Sequence, residues 1–405
     1  MLKRVAVDDI ILGMYIHELC GSWMDHPFWK AGFSLENLAD LQSLKNSAVT
    51  EVWIDTEKGL DLPDDVVGEE LEQATQQADI LLRGAMLTPV VPVAMRDEIK
   101  RALDICERSR DAVVSMFTDA RMGNAIDIDS AHGLVDEMAQ SISRHPSALL
   151  SLVRLKNADE YTYMHSVAVC ALMIALARQL ELSEEQVSEA GLAGLMHDVG
   201  KMSICDEILN KPGRLTDEEF AKVRLHPVYG AKILLTNQPM ASPFVYDVCL
   251  HHHEKFDGSG YPKKLKGAQI SLFARMGAVC DVYDAITSDR PYKKGWGPAD
   301  SLQRMAQWHG HFDPKVFQAF VRAVGIYPVG SLVRLSSGRL AVVIEQNEQS
   351  LLKPKVKVFF STKSKVPIEQ SVIDLAHAHC QETISAREQA EDWGFRNLDE
   401  LWREA

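Results

Sequence analysis

Five separate segments of the chain place histidine or aspartate inside apolar sequence with helical patterning. They contain His165, the pair His197–Asp198, His226, the triplet His251–His253, and Asp281. Burying one polar ring without a partner costs on the order of 1–3 kcal/mol, so a fold that buries several of them must satisfy them together. The sequence therefore favours a helical core in which these side chains converge on shared metal ions.

Helical periodicity runs through the middle of the chain, where apolar residues recur at spacings of three and four. The predicted helices are Leu71–Leu87, Met95–Met116, Ser130–Ser143, Tyr161–Leu180, Glu184–Asp198, Thr216–Leu235 and Ile270–Ser288. Several of them are apolar on most sides, which is typical of the buried helices of a bundle.

Both ends of the chain differ from this middle part. Near the N-terminus, Arg4–Val7 and Val49–Ile54 have the pattern of short strands, with a predicted helix at Leu35–Lys45 between them. After residue 327, short alternating segments predict more strands, and the tail Glu382–Ala405 is predicted to be helical. We therefore predict a mainly α protein in four parts: a small α/β domain (1–60), a linker with connecting helices (61–131), an all-helical bundle (132–328), and a β-rich appendage with a C-terminal helix (329–405).

The charge distribution narrows the class of ligand. The formal net charge is −14, and a non-specific nucleic-acid binder needs a cationic surface, so a nucleic-acid polymer is excluded as a partner. Between residues 255 and 294, however, eight Lys or Arg accompany four Asp. This local positive window fits a small anionic ligand, with a solvated charged loop as the alternative.

Sequence features also bear on location. No apolar run approaches the roughly 18 residues of a membrane-spanning helix, and the first residues lack the apolar core of a secretory signal. The seven cysteines are scattered singly, without a Cys-x-x-Cys pair, which predicts reduced thiols rather than a disulfide framework. We therefore predict a cytoplasmic protein without a membrane span.

The candidate metal ligands combine imidazole and carboxylate groups and include no thiolate. Such a set suits Fe, Mn, Zn or Ni and disfavours a structural zinc finger. It holds more ligands than one tetrahedral ion requires, which indicates two metals with Asp198 as the bridge between them. A two-metal site can clamp a phosphate for in-line attack, and Lys201 is placed to neutralise or protonate the leaving oxygen. The reaction class indicated is phosphoester hydrolysis.

Three further motifs accompany the segment His197–Lys201. His253–Pro262 reads HEKFDGSGYP, Asp281–Tyr292 reads DVYDAITSDRPY, and Ile208–Thr216 reads ILNKPGRLT. In this order and spacing, the motifs resemble the HD-GYP family of bacterial cyclic-dinucleotide phosphodiesterases over roughly residues 132–328. The N-terminal region, with the segment Glu51–Asp55, is similar to a domain of unknown function that often precedes HD-GYP domains.

The resemblance implies an HD-type helical fold and a set of functional residues. The implied metal ligands are His165, His197, Asp198, His226, His252, His253 and Asp281. The resemblance also implies Lys201 and Asp198 as catalytic residues, and Tyr261, Gly260, Arg290 and Lys293 as substrate-binding residues. Asp284 is expected to orient a metal ligand, and His251 to be structural.

One position departs from the family pattern. Some members carry a glutamate four residues before the first metal-binding histidine, where it binds a third metal, but this chain has Tyr161 there. We therefore predict a binuclear site, with Fe or Mn as the expected cofactors and Zn or Ni as alternatives.

The activity implied by the resemblance is hydrolysis of cyclic di-GMP to linear pGpG in bacterial second-messenger signalling, with further hydrolysis to GMP left open. The alternatives are a cyclic GMP-AMP phosphodiesterase, a catalytically silent sensor of the dinucleotide, and a generic HD-type nucleotidase. The last would not explain the Gly-Tyr-Pro loop or the pair Arg290 and Lys293. Signalling protein partners and a homodimer are also left open.

Overall fold

The computed structural model divides the chain into two units, residues 1–85 with 313–319 and residues 86–312 with 320–405. It describes residues 2–7, 10, 13–19, 32–35, 37–45, 47, 49–56, 58–59, 93–154, 161–209, 211, 213–237, 242–288, 295–347 and 350–403. The predicted helix Leu71–Leu87 lies outside the described residues, as does the first part (61–92) of the predicted linker with connecting helices (61–131).

The first unit contains a small antiparallel sheet and a helix. Its elements are β1 (Leu2–Ala6), β2 (Tyr15–Leu19), β3 (Phe33–Ser34), α1 (Leu38–Lys45) and β4 (Glu51–Asp55). The strand order is β1-β4-β2-β3, and a buried apolar cluster that includes Val5, Ile16, Leu44 and Ile54 forms the core. The small α/β fold predicted for this region is confirmed.

The second unit is built mainly of helices joined by short connections. They are α2 (Met95–Met122), α3 (Ile128–Arg144), α4 (Pro146–Leu152), α5 (Tyr161–Gln179), α6 (Glu184–Met196), α7 (Asp206–Leu209), α8 (Asp217–Val223), α9 (His226–Asn237), α10 (Pro243–His251), α11 (Leu272–Thr287), α12 (Pro298–Ala306) and α13 (Pro314–Val324), the last of which crosses the division between the units. Helices α5, α6 and α11 bury most of their described side chains, as their apolar sequences require. None of the helices within the described residues combines the length and apolar character needed to span a bilayer.

Helix α6 delivers the pair His197–Asp198 to the core. It begins with a capping box, in which the Gln186 N–H donates to Ser183 Oγ at 3.2 Å and the Ser183 N–H donates to Gln186 Oε1 at 3.1 Å. The helix ends at Met196, and a 3-10 turn over Val199–Ser203 follows. His197 and Asp198 therefore lie at a helix C-terminus, where the last backbone carbonyls have no partner within the helix.

The segment Thr216–Leu235 is not the single helix that was predicted. Helix α8 ends at Val223 and α9 begins at His226, with Arg224 in the turn between them. Pro227 has no N–H with which to continue the α-helical hydrogen bonds, so the helix breaks before it. The break places His226 at the first residue of α9.

The appendage is a five-stranded antiparallel sheet with the order β8-β7-β6-β5-β9. Its strands are β5 (Leu332–Leu335), β6 (Arg339–Glu345), β7 (Lys355–Ser361), β8 (Val366–Asp374) and β9 (Ile384–Arg387). The β-rich prediction is confirmed, but the helical prediction for Glu382–Ala405 is largely wrong. That tail contributes β9 to the sheet. The helical structure in its described part is limited to a 3-10 turn and the short helix α14 (Glu400–Arg403).

Candidate metal centre

Asp198 lies at the middle of a cluster of buried imidazoles. Its Oδ2 atom is 3.2 Å from His197 Nε2, and its Oδ1 atom is 3.3 Å from His226 Nε2 and 3.9 Å from His252 Nε2. The ammonium of Lys201 pairs with Asp198 Oδ2. One carboxylate thus joins residues from the end of α6, the start of α9 and the end of α10.

Asp281 on α11 joins the remaining predicted ligands to this cluster. Its Oδ1 atom is 3.0 Å from His165 Nε2, and its Oδ2 atom is 3.7 Å from His253 Nδ1. His165 Nε2 is also 3.5 Å from Asp198 Oδ2, so the two carboxylates flank the same ring. The structure therefore brings all of the predicted ligands together, although they come from five separate parts of the sequence.

Two sets of three potential ligand atoms each lie within 4.8 Å of one another, a spacing that can hold a metal ion. One set consists of His165, His197 and Asp198, and the other of His226, His252 and His253. Five of the six residues are buried, and the His253 side chain is 24% exposed. One side of the cluster is therefore open to solvent at His253, which gives a substrate a direction of approach.

Backbone carbonyls at helix ends fix the tautomers of three of these imidazoles. Nδ1 lies 2.7 Å from Gly194 O in His197, 2.7 Å from Val223 O in His226 and 3.0 Å from Val248 O in His252. A carbonyl only accepts, so Nδ1 carries the proton in each ring and Nε2 carries a lone pair. Because Pro227 cannot donate to the Val223 carbonyl, that acceptor is left for the His226 ring.

The resulting Nε2 lone pairs point at one another and at carboxylate oxygens. His226 Nε2 and His252 Nε2 are 3.3 Å apart, a contact between two acceptors. Within the described residues, neither His197 Nε2 nor Asp198 Oδ1 has a hydrogen-bond partner, although both atoms are buried. Lone pairs that face each other in a dry site are satisfied by a cation between them. The donor set therefore fits divalent metal ions.

The pKa shifts of His226, His252, His253 and Asp198 favour the protonation states in which these groups bind metal. Burial, opposed by Asp198, lowers the pKa of His226 to about 3. Burial likewise lowers the pKa of His253 to about 4 despite the pull of Asp281, and it holds that of His252 well below the usual value. Burial alone would raise the pKa of Asp198, but the positive charge of Lys201 helps to hold it well below the ordinary range. Neutral imidazoles and an ionised carboxylate are the metal-binding forms of these groups.

Asp284 orients His165 from the side away from the other ligands. Its Oδ2 atom accepts a hydrogen bond from His165 Nδ1 at 2.6 Å, and its side chain is buried. Burial opposes the charged form of His165, but the hydrogen bonds to Asp281 and Asp284 outweigh it and raise the pKa of that imidazole. A carboxylate behind a ligating imidazole fixes the ring and makes it a stronger ligand.

We expect Asp284→Asn to weaken metal binding about 10- to 100-fold, the usual effect of losing such a carboxylate. The amide oxygen can still accept from His165, so the protein should fold and the loss should reflect the missing charge. Titration of the metal-depleted variant with Mn(II) measures the change. An affinity equal to that of the wild type would show that Asp284 has no part in binding.

The loop after His253 is held against the cluster by Glu254. This buried carboxylate accepts from the backbone N–H groups of Lys263 at 2.6 Å and Leu265 at 3.1 Å. A Cβ at Gly260 would lie 2.3 Å from Lys255 N, so a side chain at that position would push the loop off its own backbone. This packing is a reason for glycine that needs no ligand, and substrate binding by Gly260 stays a prediction.

Tyr261 lies beside the cluster, with its ring stacked on His253 at 4.8 Å between centroids and 27° between planes. The predicted substrate-binding residues Arg290 and Lys293 lie outside the described residues, as does the side chain of Tyr161. His251 instead contacts Asp247, with its Nδ1 atom 2.7 Å from Asp247 Oδ1.

Two features near the centre were not predicted from the sequence. The Arg224 guanidinium lies over the Tyr261 ring, 4.5 Å from its centroid. His309 and His311 line an open cleft with Trp308, Lys255 and Asp257. The break signalled by Pro227 could have drawn attention to Arg224, but the cleft depends on long-range packing that leaves no local pattern.

Comparisons with known proteins cover nearly the whole chain. A family model described as HD domain matches residues 136–316, and one described as Domain of unknown function (DUF3391) matches residues 2–131. The chain is 62% identical over 405 residues to a cyclic di-GMP phosphodiesterase of Pseudomonas aeruginosa, with 99% of this chain and 96% of that protein covered. It is 30% identical over 260 residues to a cyclic di-GMP phosphodiesterase response regulator of Xanthomonas campestris, with 64% and 65% covered. A 3'3'-cGAMP-specific phosphodiesterase of Vibrio cholerae is 34% identical over 169 residues, with 42% and 36% covered.

Proposed function

Because the chain belongs to the family of HD-domain cyclic di-GMP phosphodiesterases, we propose that its histidine–aspartate cluster hydrolyses cyclic di-GMP to linear pGpG. The observation that carries the proposal is the set of Nε2 lone pairs directed at one another and at Asp198 within a buried site. A purely structural cluster would pair each lone pair with a donor, because an unsatisfied buried group is costly.

The seven proposed ligands would hold two divalent metals, and Asp198, which lies near imidazoles of both sets, would be shared between them. Asp198 Oδ2 lies near His165 and His197, and Asp198 Oδ1 lies near His226 and His252. Asp281 contacts both His165 and His253. Fe or Mn is the expected metal, with Zn or Ni as alternatives, because the ligands are imidazole and carboxylate without thiolate. When bound, such ions neutralise phosphate oxygens and lower the pKa of an attacking water.

Lys201 is proposed as the group that serves the leaving oxygen. In the hydrolysis a water oxygen bonds to phosphorus, the bond from phosphorus to the ribose 3'-oxygen breaks, and that oxygen takes up a proton. The Lys201 ammonium is held beside the centre by its pairing with Asp198, and its side chain is 23% exposed, so it can reach a bound substrate. It can therefore stabilise or protonate the departing oxygen.

Binding of the rest of the substrate is assigned to the loop after His253 and to the segment after α11. Tyr261 presents its ring beside the centre, and we propose that Gly260, Arg290 and Lys293 complete the binding of phosphates and bases. The same site could accept linear pGpG, since that product keeps one internal phosphodiester, and its further hydrolysis to GMP follows from the same chemistry.

The test is hydrolysis by the full chain after metal depletion and reconstitution with Mn(II) or Fe(II). We expect cleavage of cyclic di-GMP to pGpG, followed by chromatography, and slower cleavage of 3'3'-cGAMP. Faster cleavage of 3'3'-cGAMP would reverse the substrate assignment. Tight binding of cyclic di-GMP without any product would establish a sensor in place of an enzyme.

A further inference from the structure

Arg224 occupies the turn between α8 and α9, two residues before His226. Its guanidinium lies 4.5 Å from the centroid of the Tyr261 ring, and Tyr261 in turn stacks on His253 at 4.8 Å. These side chains form three layers that lead outward from the metal centre, and we call them the His253–Tyr261–Arg224 stack. The stack places one positive charge at a fixed position beside the proposed active site.

The ionic contacts of Arg224 differ from those of Lys201 and Lys211. Within the described residues no carboxylate forms an ion pair with it, whereas the nearby Lys201 and Lys211 are paired with Asp198 and Glu219. A half-buried guanidinium that lies over an aromatic ring keeps the N–H groups of its edge for another acceptor. A phosphate matches that edge in both charge and geometry.

We propose that Arg224 forms an anion subsite that binds the phosphate of the cyclic dinucleotide next to the one being hydrolysed. The subsite rests on the proposed function, since it assumes a substrate with two phosphates. The scissile phosphate has to lie among the carboxylates, the imidazoles and Lys201, and the full thickness of the Tyr261 ring separates Arg224 from His253. The second phosphate of a cyclic dinucleotide is the part of the ligand that lies at such a distance. Arg224 is thus a substrate-binding residue whose position is set by Tyr261.

The test compares Arg224→Ala with Arg224→Lys in the full chain reconstituted with Mn(II). We expect Arg224→Ala to raise KM for cyclic di-GMP about 10- to 100-fold, the range expected for a hydrogen bond to a charged group, with kcat within about threefold. For bis(p-nitrophenyl) phosphate, which has a single phosphate, the rise in KM should be at least fivefold smaller. Arg224→Lys keeps the charge but loses the planar edge, so its KM should lie between those of the wild type and the alanine variant.

Lys222→Ala is the matched control, because Lys222 is an exposed cation on the preceding turn. Lys222→Ala should leave KM unchanged for both cyclic di-GMP and bis(p-nitrophenyl) phosphate. Every variant should match the wild type in metal content and in the temperature of thermal unfolding. A second readout is calorimetric binding of cyclic di-GMP to the metal-depleted proteins, in which Arg224→Ala should weaken Kd by a factor similar to that for KM.

Equal effects of Arg224→Ala on both substrates, or no effect on either, would overturn the subsite. Wild-type protein that binds cyclic di-GMP without cleaving it would refute the proposed hydrolysis. The ratio of the Kd values of Arg224→Ala and the wild type for cyclic di-GMP would then still show whether Arg224 binds the ligand. Wild-type protein that neither binds nor cleaves cyclic di-GMP would overturn both.

Discussion

Asp198→Ala is expected to abolish hydrolysis of cyclic di-GMP, with a loss in kcat/KM of about 10³-fold or more, since metal stabilisation of a transition state is worth several kcal/mol and each 1.36 kcal/mol is tenfold. Asp198 contacts His197, His226 and Lys201 at once. Its removal therefore takes away the proposed shared metal ligand and the partner of the proposed proton donor in a single change.

Metal analysis and kinetics on the same samples measure the effect. Asp198→Asn keeps the size of the side chain but not its charge, and it should lose metal as the alanine variant does. Asp206→Ala is the control, because Asp206 is an exposed carboxylate on α7 that pairs with Arg121 at the surface. It should keep wild-type activity and metal content. Activity retained by Asp198→Ala would move the active site elsewhere.

Gly200→Ala is expected to reduce metal affinity and activity at least about 100-fold, because overpacking a tight contact shifts the backbone and about 1 Å of misplacement in a site can cost that much. A Cβ at Gly200 would lie 2.0 Å from His226 O and 2.3 Å from Gly230 N. Both neighbours are backbone atoms, so the 3-10 turn and α9 would have to separate. The distance of 3.3 Å between His226 Nε2 and Asp198 Oδ1 would then increase.

Gly133→Ala provides the comparison for this substitution. Gly133 lies within α3, and a Cβ there would have nothing within 4 Å, so alanine should stabilise the helix by roughly 1 kcal/mol. The midpoint temperature of thermal unfolding should therefore fall for Gly200→Ala and rise slightly for Gly133→Ala. A Gly200→Ala protein with wild-type metal content would show that the turn can yield without moving His226.

The convergence of the ligands could be predicted from the sequence because the surroundings of each candidate were apolar. His165 and Asp281 lie within apolar helices, and the pair His197–Asp198 directly follows one. Such surroundings bury polar groups, so these side chains had to satisfy one another or share a ligand. The orientation of each ring could not be predicted. It depends on which carbonyl lies beside Nδ1, as Val248 O does for His252, and that is set by where a helix ends to within one residue.

The two wrong secondary-structure predictions, for Thr216–Leu235 and for the C-terminal tail, also have physical causes. The periodicity of Thr216–Leu235 is compatible with one helix, and only the missing N–H of Pro227 separates α8 from α9. In the tail, β9 is a strand because Val333 and Arg334 pair with Arg387 and Ala386. That pairing joins residues about fifty positions apart, and a charged local sequence carries no sign of it.

The carbonyl groups that hold three imidazoles at helix ends have a consequence for how the protein acquires its cations. Gly194, Val223 and Val248 supply these bonds from the main chain, so the rings are aimed by folding itself rather than by the ion that they receive. We therefore expect the site to form in the metal-free protein, unlike a zinc finger, which folds only when the ion binds. We expect such a protein to release one cation and bind another without unfolding. The identity of the bound metal then depends on which cations are available around the protein.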